Sequence, residues 1–161
     1  MDVSAFWALI DASRGAGAGD IEAQVAALTD ALAKLPPDAI IAFDGIFRDH
    51  LARAYRWDLW AAAYIINGGC SDDGFEYFRS WLIVQGEQVF NAALADPETL
   101  VDRAEPDAEG EGMLHAASEA FDACVGAKLP LTSAHPPEPA GERWSEDELP
   151  RRFPRLWSMF T

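Results

Sequence analysis

The sequence predicts an all-α fold, and three observations carry that expectation. Apolar residues recur at steps of three and four along most of the chain. No segment alternates in the manner of a half-buried strand, and Gly or Pro interrupts the periodic runs at helix-length intervals. The 161 residues suit one domain spanning residues 1–161, and half of them are hydrophobic, enough for a core without disulfides or metal. The expected architecture is a single compact body of about six helices, with an extended proline-rich C-terminal segment that docks on it.

The elements follow in order. Asp2 or Ser4 caps a first helix carrying Phe6, Leu9 and Ile10, which stops at "RGAGAGD", residues 14–20. Asp20 caps a second, in which Ile21, Val25, Leu28, Leu32 and Leu35 share one face. "LPPD" ends it, and Pro37 suits the first turn of a third helix, read as one continuous run from Asp38 to about Asn67. Gly68 and Gly69 break that run, Asn67 helps to end it, and Ser71 starts a fourth helix reaching towards Leu94. "DPETL" begins a short fifth turn, and the acidic linker "AEPDAEGEG" leads to a sixth helix from Met113 to Val125 that ends at Gly126. "LPLTSAHPPEPAGERW", residues 129–144, reads as extended chain. A last short helix, "EDELPRRF", leads to "PRLWSMF", whose Leu156, Trp157 and Phe160 are expected to dock on the body.

Charge narrows the function classes. Twelve Lys and Arg against 27 Asp and Glu give a net charge of −15. A field of that sign disfavours nucleic-acid and membrane-surface binding and favours a cationic or neutral ligand, or a basic protein partner. The amphipathic, acidic N-terminus lacks the basic region and long apolar run of a signal peptide, and no run reaches membrane-span length, so a cytoplasmic protein is expected. The two cysteines, Cys70 and Cys124, form no disulfide framework. His50, His115 and His135 are scattered without ligand spacing, so no metal site is expected. "GAGAG" lacks the strand and the Lys-Ser/Thr of a phosphate loop, and no cofactor is implied.

Candidate site residues concentrate between Asp58 and Gln85. Ser71-Asp72-Asp73 is in the first place a helix start. A Ser N-cap contributes about 1 kcal/mol, and each first-turn acid roughly 0.3–1 kcal/mol against the helix dipole. Its functional alternative is a carboxylate pair that holds a cation or amine, or serves as a base. Asp58 falls on the stripe Phe43, Phe47, Leu51, Ala54, Asp58, Ala61 and Ile65 of the continuous helix, where an apolar residue is due. A buried acid needs a partner, so Asp58 meets a buried arginine or lines a pocket. If the helix breaks at "YRWD", Asp58 becomes a cap and the stripe argument lapses. Arg79 is the natural partner, with a surface pair to Glu76 as its plainer role. Tyr77 and Trp81 share one face of the helix, and Gln85 falls near its apolar stripe, where an amide needs partners. Cys70 precedes a helix N-terminus, but Asp72 and Asp73 oppose a thiolate there.

Three stretches carry a resemblance: "FWALIDASR", "YRWDLWAAAYIINGGCSDDGFEYFRSWLIVQG" and "WSEDELPRRFPRLW". Together they resemble the domain of unknown function 4240 family, a bacterial family typical of actinobacteria. The likeness extends over nearly the whole chain, with the central motif matched at Trp57, Asp58, Gly68, Gly69, Ser71, Asp72, Asp73, Phe75, Phe78, Arg79 and Trp81. The family brings no activity, and implies only that these polar residues belong to one motif. The first expectation is therefore a protein binding a small polar or peptide ligand through Asp58, Asp72, Asp73, Tyr77, Arg79, Trp81 and Gln85 around the Gly68-Gly69 junction. The second is a small enzyme with buried Asp58 as catalytic acid or base and Arg79 as anion clamp. The third is an acidic adaptor or immunity-like protein that binds a basic partner.

Overall fold

A computed structural model describes residues 1–161 as helices joined by turns, with no strand beyond one isolated bridge between Arg56 and Ala140. Helix α1 (Val3–Gly17) and helix α2 (Ile21–Ala33) form an antiparallel hairpin. Asp2 caps the first by accepting from Ala5 N–H, and Asp20 caps the second by accepting from Glu22 and Ala23. The pair crosses closely because Gly17 has no side chain, and a Cβ there would lie 2.8 Å from the Gln24 backbone.

The expected third helix is two. Helix α3 (Pro37–Arg53) ends before Tyr55, and α4 (Trp57–Asn67) starts in a new direction. Ala140 from the C-terminal segment occupies the gap, accepting from Trp57 N–H and donating to Tyr55 O, both at 2.9 Å. The backbone groups freed by the break are thus satisfied from more than eighty residues away. The expected fourth helix also divides. Helix α5 (Asp72–Val84) stops at Gly86, whose φ of 102° a side chain resists, and α6 (Glu87–Ala95) continues from it. A 3-10 turn (Pro97–Asp102), α7 (Met113–Val125), a second 3-10 turn (Glu146–Glu148), α8 (Leu149–Arg152) and α9 (Pro154–Phe160) complete the chain.

One apolar cluster joins these elements. Phe6, Phe43, Phe47, Phe75, Phe78 and Phe90 are its largest fully buried members. His50 sits inside it, its ring parallel to Phe6 at 5.2 Å and its Nδ1 paired with Ile46 O at 2.8 Å; burial pushes its pKa below the ordinary imidazole value. The C-terminus docks as expected, with Leu156 fully buried and Trp157 and Phe160 packed against the core. Its anchor is Glu98. The carboxylate accepts from Arg155 N–H at 3.1 Å and Leu156 N–H at 2.8 Å, doing for α9 what an N-cap side chain does.

Candidate functional site

The Gly68-Gly69 junction is first of all a helix stop and a helix start. Gly68 and Gly69 take φ of 69° and 123°, and Gly69 N–H bonds back to Tyr64 O at 2.8 Å. Ser71 Oγ then accepts from Gly74 N–H at 3.1 Å, with Asp72 and Asp73 exposed in the first turn of α5. Trp60 closes the junction by donating from Nε1 to Cys70 O at 3.0 Å, and its ring stacks on Trp57 and Phe75. Burial pushes the Cys70 thiol up to about 12, with Glu109 and Asp72 adding to the shift. Asn67 does not take the left-handed cap position, which belongs to Gly68. Its amide instead clamps the acidic linker, accepting from Ala108 N–H at 3.1 Å.

Arg79 is 2 % exposed and belongs to none of the chain's ion pairs. Its Nη1 donates to Leu51 O at 2.8 Å and to His135 Nε2 at 3.0 Å. The guanidinium lies 4.5 Å from the Tyr55 ring centre and 4.8 Å from that of Phe75. Such contacts are each worth up to about 2 kcal/mol once water is excluded. Tyr55 O–H donates to Asp72 Oδ1 at 3.1 Å, so Asp72, Tyr55, Arg79 and His135 form one chain of contacts. With Nε2 accepting, the His135 proton resides on Nδ1, 2.8 Å from Pro136 O. Burial lowers the Arg79 pKa, opposed by the charges of Glu76, Tyr55 and Asp72.

The remaining sequence candidates lie elsewhere. Asp58 is not on a continuous stripe, because the helix breaks before it. It stands in the first turn of α4, where Arg56 grips it through two contacts of 3.1 and 2.9 Å and Leu59 N–H donates at 2.8 Å. Its partner is therefore Arg56 and not Arg79. Tyr77, Trp81 and Gln85 follow one another at steps of four on the side of α5 away from Arg79. They face the linker, where Gly110 donates to Tyr77 O at 2.8 Å and packs on the Trp81 backbone, while Gln85 Nε2 bonds Trp81 O. Asp73 is exposed. Arg79 and Asp72 thus come together, and the other five do not join them.

What Arg79 holds is a strap. From Ala127 to Pro139 the chain makes no backbone–backbone hydrogen bond; it crosses α3 with Thr132 against Gly45 and ends on His135. Beneath it lie two adjoining cavities that share Arg48 and Leu131. The larger, about 540 Å³, lies between α3 and α7 and is lined by Asp44, Arg48, Asp122, Lys128 and Leu129 among others. The smaller, about 260 Å³, is lined by Leu51, Glu76, Ser133 and His135. Two buried side-chain polar atoms in the chain lack a partner, Asp44 Oδ2 and Ser133 Oγ, and each belongs to a residue that lines one of these cavities. Asp44 is 2 % exposed, and its other oxygen has only Arg48 Nε at 3.4 Å. Burial raises its pKa, with the Arg48 charge pulling the other way.

A groove of about 590 Å³ runs between α2 and the linker and shares Glu119 of α7 with the larger cavity. Glu22, Asp30, Glu109, Glu111 and Glu119 line it, and no cationic side chain does. No set of three or more His, Cys, Asp or Glu side chains converges as a metal site requires, and no helix is long and apolar enough to cross a membrane.

Asp44, Arg48, Tyr55 and His135 escaped the sequence reading. A signal existed for Asp44, which lies between Ile40 and Phe47 on the apolar face of α3, the same departure that drew attention to Asp58. For His135 in its proline-rich segment there was none. No curated protein and no solved structure matches the chain. The family model described as "Protein of unknown function (DUF4240)" matches residues 1–123, which include the floor of the strap cavities and stop before the strap and the "WSEDELPRRFPRLW" stretch. By that match the chain belongs to the domain of unknown function 4240 family.

Proposed function

We propose that the protein binds a small polar ligand, and that the ligand sits beneath the strap instead of at the glycine junction. One observation carries the reading: the two residues with an unpartnered buried side-chain polar atom, Asp44 at Oδ2 and Ser133 at Oγ, line neighbouring cavities under the same strap. A buried polar atom without a partner costs about 1–3 kcal/mol, and a ligand that supplies the partner recovers that cost on binding. The strap is suited to admit it, having no backbone ladder and one side-chain hydrogen bond to the body, at His135. Around the junction, by contrast, Asp58, Asp72 and Arg79 already have partners within the chain. The test is a thermal-shift screen over amino acids, nucleotides, other metabolites and metal salts, followed by hydrogen exchange on each stabilising compound. Protection is expected across α3, α7 and residues 127–139. Stabilisers that protect only other regions, or a screen with no stabiliser, would refute the reading.

The acidic groove favours a second reading, a basic protein partner. Five carboxylates without a cation between them, on a chain of net charge −15, suit a Lys- or Arg-rich segment. Complexes captured at low salt should dissociate as ionic strength approaches about 0.5 M, where exposed charges are screened within a few ångström. They should also be lost in the Glu109→Lys, Glu111→Lys double variant. Capture indifferent to both would count against it.

A further inference from the structure

The larger cavity has a chemical pattern that specifies more than polarity. At one place stands Asp44, whose Oδ2 has no partner and whose side chain is 3 % exposed, with Asp122 lining the same space. Two cations, Arg48 and Lys128, line it as well. Arg48 is committed only in part: Nε reaches Asp44 at 3.4 Å and Nη2 reaches Leu114 O at 3.3 Å. Lys128 makes no ion pair. The rest of the lining is Ser118 and Glu119 of α7 and, from the strap, the apolar Ala127, Leu129 and Leu131, of which Leu131 is 80 % exposed.

Each part of this pattern asks for a different group. An acceptor without a donor asks for an N–H, and a buried carboxylate is best satisfied by one that carries positive charge. The lysine, and the arginine with donors to spare, ask for a carboxylate. An aliphatic wall asks for a short apolar side chain, and a volume of about 540 Å³ falls within the range of small-molecule sites. Resting on the small-ligand reading above, we propose that this cavity binds a free α-amino acid with an aliphatic side chain, its ammonium on Asp44 and Asp122 and its carboxylate on Lys128 and Arg48. A metal cation satisfies Asp44 but leaves Lys128 and Arg48 repelled. A nucleotide or sugar phosphate answers the two cations but brings negative charge against Asp44 and Asp122. The zwitterion meets both demands at once. The strap then serves as roof and as specificity wall, closed at its far end by the His135 contact with Arg79.

Calorimetric titration of the full chain with L-leucine, isoamylamine and 4-methylpentanoate tests the assignment, the last two being the amine and acid halves of the first. Leucine should bind, and each half should bind more weakly by roughly tenfold or more, since each forfeits one charge-assisted contact. Asp44→Asn keeps the shape and removes the charge, and should lower leucine affinity by a similar factor; Lys128→Ala, at an exposed position, should do so independently. Asp73→Asn, outside the cavity, should leave it unchanged. Leucine and other aliphatic amino acids failing to bind, or binding no better than their halves, overturns the assignment, as does full affinity in Asp44→Asn. If 4-methylpentanoate alone binds beneath the strap and Lys128→Ala abolishes it while Asp44→Asn does not, the small-ligand reading stands and the amino-acid assignment falls.

Discussion

Replacing Glu98 should undock the C-terminal helix. Its carboxylate is 9 % exposed and meets the N–H groups of Arg155 and Leu156, the second and third residues of α9. Phe153, at the cap position itself, supplies no side-chain bond, so Glu98 is what satisfies those donors. A hydrogen bond to a charged group is worth about 1.5–3 kcal/mol, and a lost cap about 1–2 kcal/mol. The two bonds share one carboxylate, and its removal also relieves the cost of burying it. Glu98→Ala should therefore lose about 2–4 kcal/mol, and Glu98→Gln, which keeps one acceptor and the volume, about half of that. For a chain of this length each kcal/mol moves Tm by about 2–4 °C, so the alanine variant should melt roughly 5–10 °C lower. Circular dichroism in the far ultraviolet gives Tm, and the near-ultraviolet band reports whether Trp157 has left its packing. An alanine variant within about 1 kcal/mol of the parent would show that α9 is held by Leu156 burial alone.

Asp44→Asn should raise stability at neutral pH by about 1 kcal/mol, because it removes a buried, half-paired charge. The sign follows from its raised pKa. The folded state holds that proton more tightly than the unfolded chain, so the contribution is fully present below the unfolded carboxyl pKa and lost as pH rises through the folded one. The variant's advantage should therefore vanish near pH 3.5, about where an unfolded aspartate is half protonated; an advantage equal at pH 3.5 and pH 7 would contradict it. Thiol labelling at pH 8 should show one fast and one slow cysteine, since Cys124 is exposed while Cys70 is half-buried and pushed up to about 12. Equal rates would refute that environment for Cys70. Gly110→Ala places a Cβ 2.8 Å from Trp81 N, against backbone that cannot yield, and should cost about 1–3 kcal/mol in urea unfolding. Gly112→Ala, whose Cβ meets only Val25 at an ordinary 3.5 Å, is its control, and parity between the two would defeat the argument.

The sequence carried the fold wherever the signal was local. Caps at Asp2, Asp20 and Ser71, the stop at Gly68 and Gly69, and the docking of Leu156 all follow from short-range chemistry. The two extra helix breaks differ in kind. At Gln85–Gly86 a glycine was present, and its positive φ is what ends α5. At Ala54–Arg56 no breaker residue exists. The chain turns there because Ala140 satisfies the freed backbone and Tyr55 lays its ring on Arg79, both contacts between distant segments. Because of that break, the acid buried on an apolar helix face is Asp44 on α3, whereas Asp58 stands in the first turn of α4. Motif residues were legible as a group, but their division between two sides of α5 depends on what packs on each.

A buried arginine without a carboxylate is an unusual anchor, and its choice of partners constrains how the strap behaves. Carbonyls from Leu51 and Phe75 and two aromatic faces hold the guanidinium in place whether or not the strap is closed. A carboxylate in the strap would have bound Arg79 tightly, and separating such a buried pair costs about 3–5 kcal/mol. A neutral imidazole makes a weaker bond, and its separation from Arg79 would strand no unpaired anion in the core. Beneath the strap, Asp44 keeps one oxygen without a partner. The floor of that space, Asp44 and Arg48 with Arg79 beside it, lies within residues 1–123 matched by the family, whereas Lys128, Leu131 and His135 lie beyond them. The central motif is therefore tied to the cavities indirectly: its Arg79 meets the strap at His135, and the unpartnered Asp44 oxygen stands on α3, one helix away.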